Sequence, residues 1–266
     1  MDAAVRETNE YRRRYRARVT SDAGVDGLRK TLLDQLDWVK LQVHGSASLV
    51  GRDETDPGTL DWHAAATISV WPEDKDLDEP WHSVPDLALS TTNHPDGARE
   101  LSILEAEGLV IDLGQVEDVF EALDARSQDY EHFHPMFGDT STLGFQDLAP
   151  ELEDSLEAVG SCVVIIDRVR LAPAWRGLGG VGRLLIGRLL RWVCADPQVV
   201  AVHPFPIDLV ENARRDSTLF EPELARVRRV WQSLGFRPFT ENIWVMDPNL
   251  ATHSDAVAQF AEELGM

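Results

Sequence analysis

Cysteine is scarce in this chain. Cys162 and Cys194 are the only two in 266 residues, and no C-x-x-C spacing occurs. A disulfide framework and a zinc ribbon are thereby excluded, and two buried thiols are expected. No apolar run approaches the ~18 residues of a membrane span, and residues 1–20 lack the apolar centre of a signal peptide. A cytoplasmic protein without a membrane partner is the expectation. Internal repeats and long low-complexity linkers are also missing. Basic charge is short: 25 Lys and Arg stand against 46 Asp and Glu, a net charge of −21. Such a surface repels phosphate backbones and argues against nucleic acid. The arginine-rich segment 12–18 is the one exception, and it reads as a solvated helix or tail. Tyrosine is rare, with three in the chain and none beyond Tyr130.

The residues that are present suit a globular protein: 43% are apolar, enough for one substantial core or two small ones. Charge is unevenly spread. Residues 51–160 hold four basic and 27 acidic side chains, whereas residues 161–250 hold twelve arginines and nine acids. The acidic stretch reads either as a field that attracts a cationic amine or as a solubilising surface. The balanced stretch suits a polyanionic phosphate ester.

Hydrophobic periodicity predicts helices over 5–18 and 23–40, the second with Leu28, Leu32, Leu36 and Val39 on one side. Strands are expected over 41–50, 64–71 and 108–113, with a turn at 51–58 and a loop over 72–100. Helices are expected over 116–130 and 150–159. Then comes the densest signal. An apolar strand, Cys162 to Leu171, runs into the turn Pro173-Ala-Trp175-Arg176-Gly-Leu-Gly-Gly-Val-Gly182, and a helix begins near Arg183. Glycines at 177, 179, 180 and 182 let backbone N–H groups approach an anion. The helix adds its unpaired first amides and the positive end of its dipole. The combination is a pyrophosphate cradle.

Gly177-Leu-Gly179-Gly-Val-Gly182 matches the dinucleotide fingerprint G-x-G-x-x-G. That motif needs its first glycine at the strand's end and an acid ending the next strand. Here residues 172–176 intervene, and the next apolar run, 199–202, ends in His203 and Pro204. A Rossmann oxidoreductase is therefore the weaker reading.

Leu171, Pro173, Trp175, Arg176 and Gly179, followed by Leu184 and Leu185, form a pattern that resembles the acetyl-CoA-binding motif of the GNAT N-acetyltransferase superfamily. Leu171 stands where that family has valine, and the motif's last fixed small residue falls on Val181, between Gly180 and Gly182. A second block, Val230-Trp231-Gln-Ser-Leu234-Gly235-Phe236 and then Ile243 to Met246, resembles the family's closing helix and last two strands. The resemblance covers residues 161–247. It implies an α/β fold with a mixed sheet, of the GNAT type: an N-terminal helical extension over 1–40, an acyl-CoA-binding domain over 41–250 and a C-terminal helical tail over 251–266. The GNAT core needs three strands before its cofactor strand, so the helix expected at 116–130 departs from the family's usual hairpin. A separate N-terminal domain is the alternative.

The resemblance further implies an N-acetyltransferase that uses acetyl-CoA and a small amine, cationic on the field reading above, with no metal. Arg176, Gly177, Leu178, Gly179, Gly180, Val181 and Gly182 would bind pyrophosphate. Val169, Arg170 and Leu171 would align the pantetheine arm. Asp167 is the candidate base: by period two it shares a strand face with Val163, Ile165, Val169 and Leu171, and a carboxylate there is either paired or aimed into a cleft. The family's usual thiolate donor, a tyrosine, is replaced by Trp231, whose indole N–H cannot be released at neutral pH. His203 is the candidate substitute. Asp129, Tyr130, Glu131, His132 and His134 form a further polar cluster on the substrate side. Trp192 and Trp244 read as core; Trp62, Trp71 and Trp81 read as core or as walls of a cation site. Residues 254–264 are expected to form a helix that packs on a neighbour, giving a possible homodimer. The rival function is a GNAT-like module that binds CoA or a partner without catalysis.

Overall fold

The computed structural model describes residues 22–46, 58–71, 86–140, 146–157, 160–207 and 217–266. The helix expected over 5–18, its arginine-rich segment, most of the turn at 51–58, and the first part of the 72–100 loop with Trp81 lie outside the described residues.

Helix α1 (Asp22–Asp34) leads into strands β1 (Lys40–Ser46), β2 (Thr59–Val70), β3 (Ser90–Asn93) and β4 (Arg99–Asp112). Helix α2 (Val119–Asp124) and a 3-10 turn (Tyr130–Met136) follow, then the small hairpin β5 (Phe137–Thr140) and β6 (Gln146–Leu148) and the short helix α3 (Pro150–Glu153). The last part comprises β7 (Cys162–Leu171), α4 (Val181–Val193), β8 (Pro197–Val202), α5 (Ser217–Gln232), β9 (Arg237–Pro238), β10 (Trp244–Met246) and α6 (Ala251–Glu263). The main sheet has the order β1-β2-β4-β7-β8-β10-β9, with β3 beside β4. Only β7 and β8 run parallel among the described pairings; the others are antiparallel. The architecture is thus mixed α/β, and the parallel sheet a Rossmann fold requires is not formed by these strands.

Burial explains the sequence pattern. Val163 and Ile165 of β7 enter a core with Leu123, Phe133, Met136 and Leu152, while Val164 and Ile166 enter a second core with Leu184, Leu189 and Phe236. A strand covered on both faces carries an unbroken apolar run. β2 and β4 are longer than their apolar runs suggest, because alternate residues such as His63, Glu105 and Glu107 face outward and dilute the signal. Leu32 and Leu36 join the core shared by β2, β4 and α4.

Several expectations are corrected. The helix expected over 116–130 is only Val119–Asp124, capped by Asp118, whose side chain accepts from the N–H groups of Phe120 and Glu121. The chain then tightens into the 3-10 turn that contains Pro135. Strand β3 occupies part of the expected loop, and the helix expected over 150–159 ends at Glu153. One face of the C-terminal helix packs on its own chain: Val257 and Phe260 are buried in the core with α4, and His253 Nδ1 lies 2.9 Å from the Leu234 carbonyl. Trp192 is 67% exposed, not core. The two cysteines are half-buried. Burial, then the neighbouring Cys194, pushes the Cys162 thiol up to about 11, so it is no nucleophile at neutral pH.

Gly108 sits at the bulge in the β4–β7 pairing. A Cβ there would lie 2.0 Å from the Ile165 carbonyl oxygen and 2.8 Å from the ring of the buried Trp62. Neither the strand backbone nor a packed indole can withdraw cheaply. G108A is expected to cost on the order of 3 kcal/mol of stability, measurable by equilibrium unfolding in urea.

Candidate functional site

β7 and β8 stay paired only from Cys162↔Pro197 to Ile166↔Val202. Beyond that point β8 ends while β7 continues along β4 to Leu171. The sheet therefore opens into a V. The N–H of Ala172 donates to Ile103 on the β4 side, and strand groups alternate in direction. Val169 and Leu171 consequently turn their backbone groups into the V, where the Leu171 carbonyl accepts from Arg176 Nε at 2.9 Å.

The register carries a bulge here. Ile166 pairs with Gly108 and Arg168 with Glu107, so Asp167 is the extra residue. The bulge reverses the alternation: Val163 and Ile165 belong to one core, but Val169 and Leu171 pack against the other. The period-two expectation that Asp167 shares a face with all four is corrected accordingly. Asp167 is half-buried at the fork of the V.

At the mouth of the V the turn is built as a cradle. Pro173–Trp175 form a single 3-10 turn that buries Trp175, whose Nε1–H donates to the Leu87 carbonyl at 3.0 Å. Gly179 and Gly180 follow with φ of +68° and +107°, a left-handed pair that aims successive amides outward. Gly180 caps α4 without any side-chain hydrogen bond, so the first amides of this 13-residue helix point at the cleft. The cleft has a volume of about 1090 Å³, at the upper end of the range for ligand sites.

The catalytic and cofactor-binding candidates read from the sequence line this one cleft: Asp167, Val169, Arg170, Leu171, the 176–182 turn and His203; the Asp129–His134 cluster does not. Two arginines and an apolar wall were not foreseen. Arg183 lies on the first turn of α4 with its guanidinium 4.2 Å from the Phe260 ring centroid. Arg226 of α5 is paired with Glu223 at 3.0 Å. Phe205, Val227, Val230 and Trp231 complete the wall, with Trp231 edge-on to Phe236 at 5.0 Å. An arginine in the first turn after a glycine loop was a readable signal; apart from Trp231, the wall, contributed by α5 and by Phe205 beyond β8, was not.

The fork also gathers titratable groups from distant segments. The rings of His132 and His203 are 4.6 Å apart. Burial holds the Asp167 carboxyl above the ordinary aspartate range, Arg168 opposes this, and the charges of Glu107 and Asp129 add to it. Burial lowers His203, as does His132, while Asp129 acts the other way and Arg228 lowers it further. His203 is therefore neutral at pH 7. Burial and the charges of Asp167 and Asp61 hold Tyr130 well above the usual phenol range, so it stays protonated. His134 turns elsewhere, to Asp124 at 3.0 Å. Of the tryptophans, Trp62 and Trp244 are buried and Trp71 is 46% exposed; none of the three lines the cleft.

Among the described residues no group of three His, Cys, Asp or Glu side chains is arranged to hold a metal ion, and no helix is long and apolar enough to cross a membrane. No protein-family model, no curated protein and no solved structure matches the chain.

Proposed function

We propose that the chain is an acetyl-CoA-dependent N-acetyltransferase of the GNAT type, acting on the amine of a small substrate. The observation that carries this reading is the V between β7 and β8, with a glycine cradle and helix N-terminus at its mouth and Asp167 and His203 at its fork. Three strands of the main sheet, β1, β2 and β4, run antiparallel in succession up to β7, and α5, β9 and β10 close the sheet, in keeping with the two sequence motifs.

The cosubstrate would supply an activated thioester. The amides of the 177–182 turn and α4 would hold its pyrophosphate, with Arg176 and Arg183 nearby. The backbone groups of Val169 and Leu171 would hydrogen-bond the amide-bearing arm and polarise the carbonyl. The amine attacks that carbonyl; the N–C bond forms and the C–S bond breaks. Asp167, with its raised proton affinity, accepts the amine's proton at the fork. Neutral His203, lining the same cleft, would take that proton on from Asp167 and deliver it to the departing sulfur, which leaves as the thiol.

Calorimetry with acetyl-CoA, CoA and NADH tests the reading. Micromolar binding of acetyl-CoA, without NADH, is expected; binding of NADH alone would overturn it. Trp231, in place of the family's tyrosine, favours a second reading, a CoA-binding module without catalysis. Tight CoA binding with no thiol release across a broad amine panel would support that alternative.

A further inference from the structure

Behind the V, on the face of β1, β2, β4 and β7 away from α4, the sheet carries a second concavity of about 360 Å³. Its floor is built by cross-strand register. One row reads His44, His63, Glu107, Arg168 across the four strands, and the next reads Gln42, Ala65, Glu105, Arg170. Directly opposed residues on an antiparallel sheet have Cβ atoms ~5 Å apart, so each row is a continuous polar ladder. Ala65 is the one small residue in the second row, and it leaves the hollow.

The first row is internally satisfied. Glu107 is paired with Arg168 at 3.3 Å on one side and has His63 Nδ1 at 3.5 Å on the other. The second row is not. Gln42 is bonded to Glu100 at 2.9 Å, and one oxygen of Glu105 accepts from Ser90 at 2.7 Å. Arg170, directly opposite Glu105, forms no ion pair with a described residue. The hollow thus offers one uncommitted guanidinium and one carboxylate with an oxygen to spare, beside a ladder whose formal charges cancel.

The hollow also adjoins the fork. Arg170 lines both it and the cleft, and the charge of Glu107 acts on Asp167. Arg170 is therefore shared by two cavities on opposite faces of the sheet, as a transfer between two substrates requires.

We infer that this hollow is the acceptor site and that its ligand is an amino-carboxylate zwitterion, with its carboxylate on Arg170 and its ammonium end toward Glu105 and Asp167. The inference rests on the function proposed above and narrows its substrate class. The acidity of the chain as a whole attracts cations, but the charge balance within the hollow selects a ligand carrying both signs.

The test is calorimetric and needs no turnover. The protein, saturated with CoA, is titrated with the proteinogenic amino acids, β-alanine and 4-aminobutyrate, and with the carboxamide of each. At least one amino-carboxylate is expected to bind at least about tenfold more tightly than its amide. R170Q should erase that ratio, and R170K should keep part of it. Absence of any amino-carboxylate binder, equal binding of acid and amide, or an unchanged ratio in R170Q would each overturn the inference. So would a loss of CoA affinity in R170Q, which would assign Arg170 to the cofactor. Failure of the wild type to bind CoA at all would instead sink the cofactor reading, and the acid-to-amide ratio, measured without CoA, would still judge the hollow.

Discussion

D167N is expected to lower acetyl-CoA-dependent thiol release by ~10²–10⁴-fold, the usual loss when a positioned general base is removed, while acetyl-CoA affinity is unchanged. Asparagine keeps the shape of the bulge but cannot accept the amine's proton. The same substitution is expected to raise the melting temperature at neutral pH. The sign follows from the pKa: burial raises the Asp167 carboxyl above its unfolded value, so the folded state binds more protons than the unfolded one across that window. Stability from this group is full below the ordinary aspartate pKa and is lost as pH rises through the raised folded value. Asparagine, uncharged throughout, escapes the loss. A slower and more stable variant would mark Asp167 as held for chemistry; a slower and less stable one would mark it as structural. The wild-type rate should rise with pH across a limb set by Asp167 and His203. Burial keeps the Asp167 carboxyl above the ordinary aspartate range, and burial with His132 keeps His203 below the ordinary imidazole range, so D167N should remove the Asp167 part of that rise. A limb that D167N leaves unchanged would exclude Asp167 as the base.

G179E is expected to weaken acetyl-CoA binding on the order of a hundredfold and to leave the fold measurable by thermal melting. At φ +68° any side chain costs about 1–2 kcal/mol of backbone strain. Space is not the obstacle: the nearest atoms to a Cβ are Arg29 Nη2 at 3.6 Å and Leu264 Cδ2 at 3.7 Å. The loss comes from a carboxylate where amides are collected for an anion. G179A separates the two effects, since it carries the strain without the charge. If alanine and glutamate weaken binding equally, the loop acts by shape alone. If neither does, the anion sits elsewhere in the cleft.

The cleft's lower lip was legible because it is local. β7, its turn and α4 are consecutive, and unbroken apolar residues, four glycines and a following amphipathic helix suffice to define them. What escaped the sequence is what requires a partner strand. The bulge at Asp167 exists only in the pairing with Glu107 and Gly108, so period two assigned the residue to a face that the register then reversed. β2 and β4 were read short because their open face carries His63, Glu105 and Glu107, which interrupt hydrophobic runs. His132 meets His203 only because the segment between β4 and β7 folds back under the sheet. Trp192 resembles core by composition, but it lies near the C-terminal end of α4, where its ring is left in solvent.

The early end of the β7–β8 pairing has a consequence for how the molecule holds together. Five residue pairs join the antiparallel half of the sheet, β1 to β7, to the half formed by β8, β10 and β9. α4, which follows β7, and α6, which follows β10, add their packing across the same division. Two such blocks are natural units of partial opening in hydrogen exchange. A ligand with its own amides lying along Val169 and Leu171 would serve as the missing length of strand. Substrate would then act as a removable seam, slowing exchange in both blocks at once rather than only at the residues it touches.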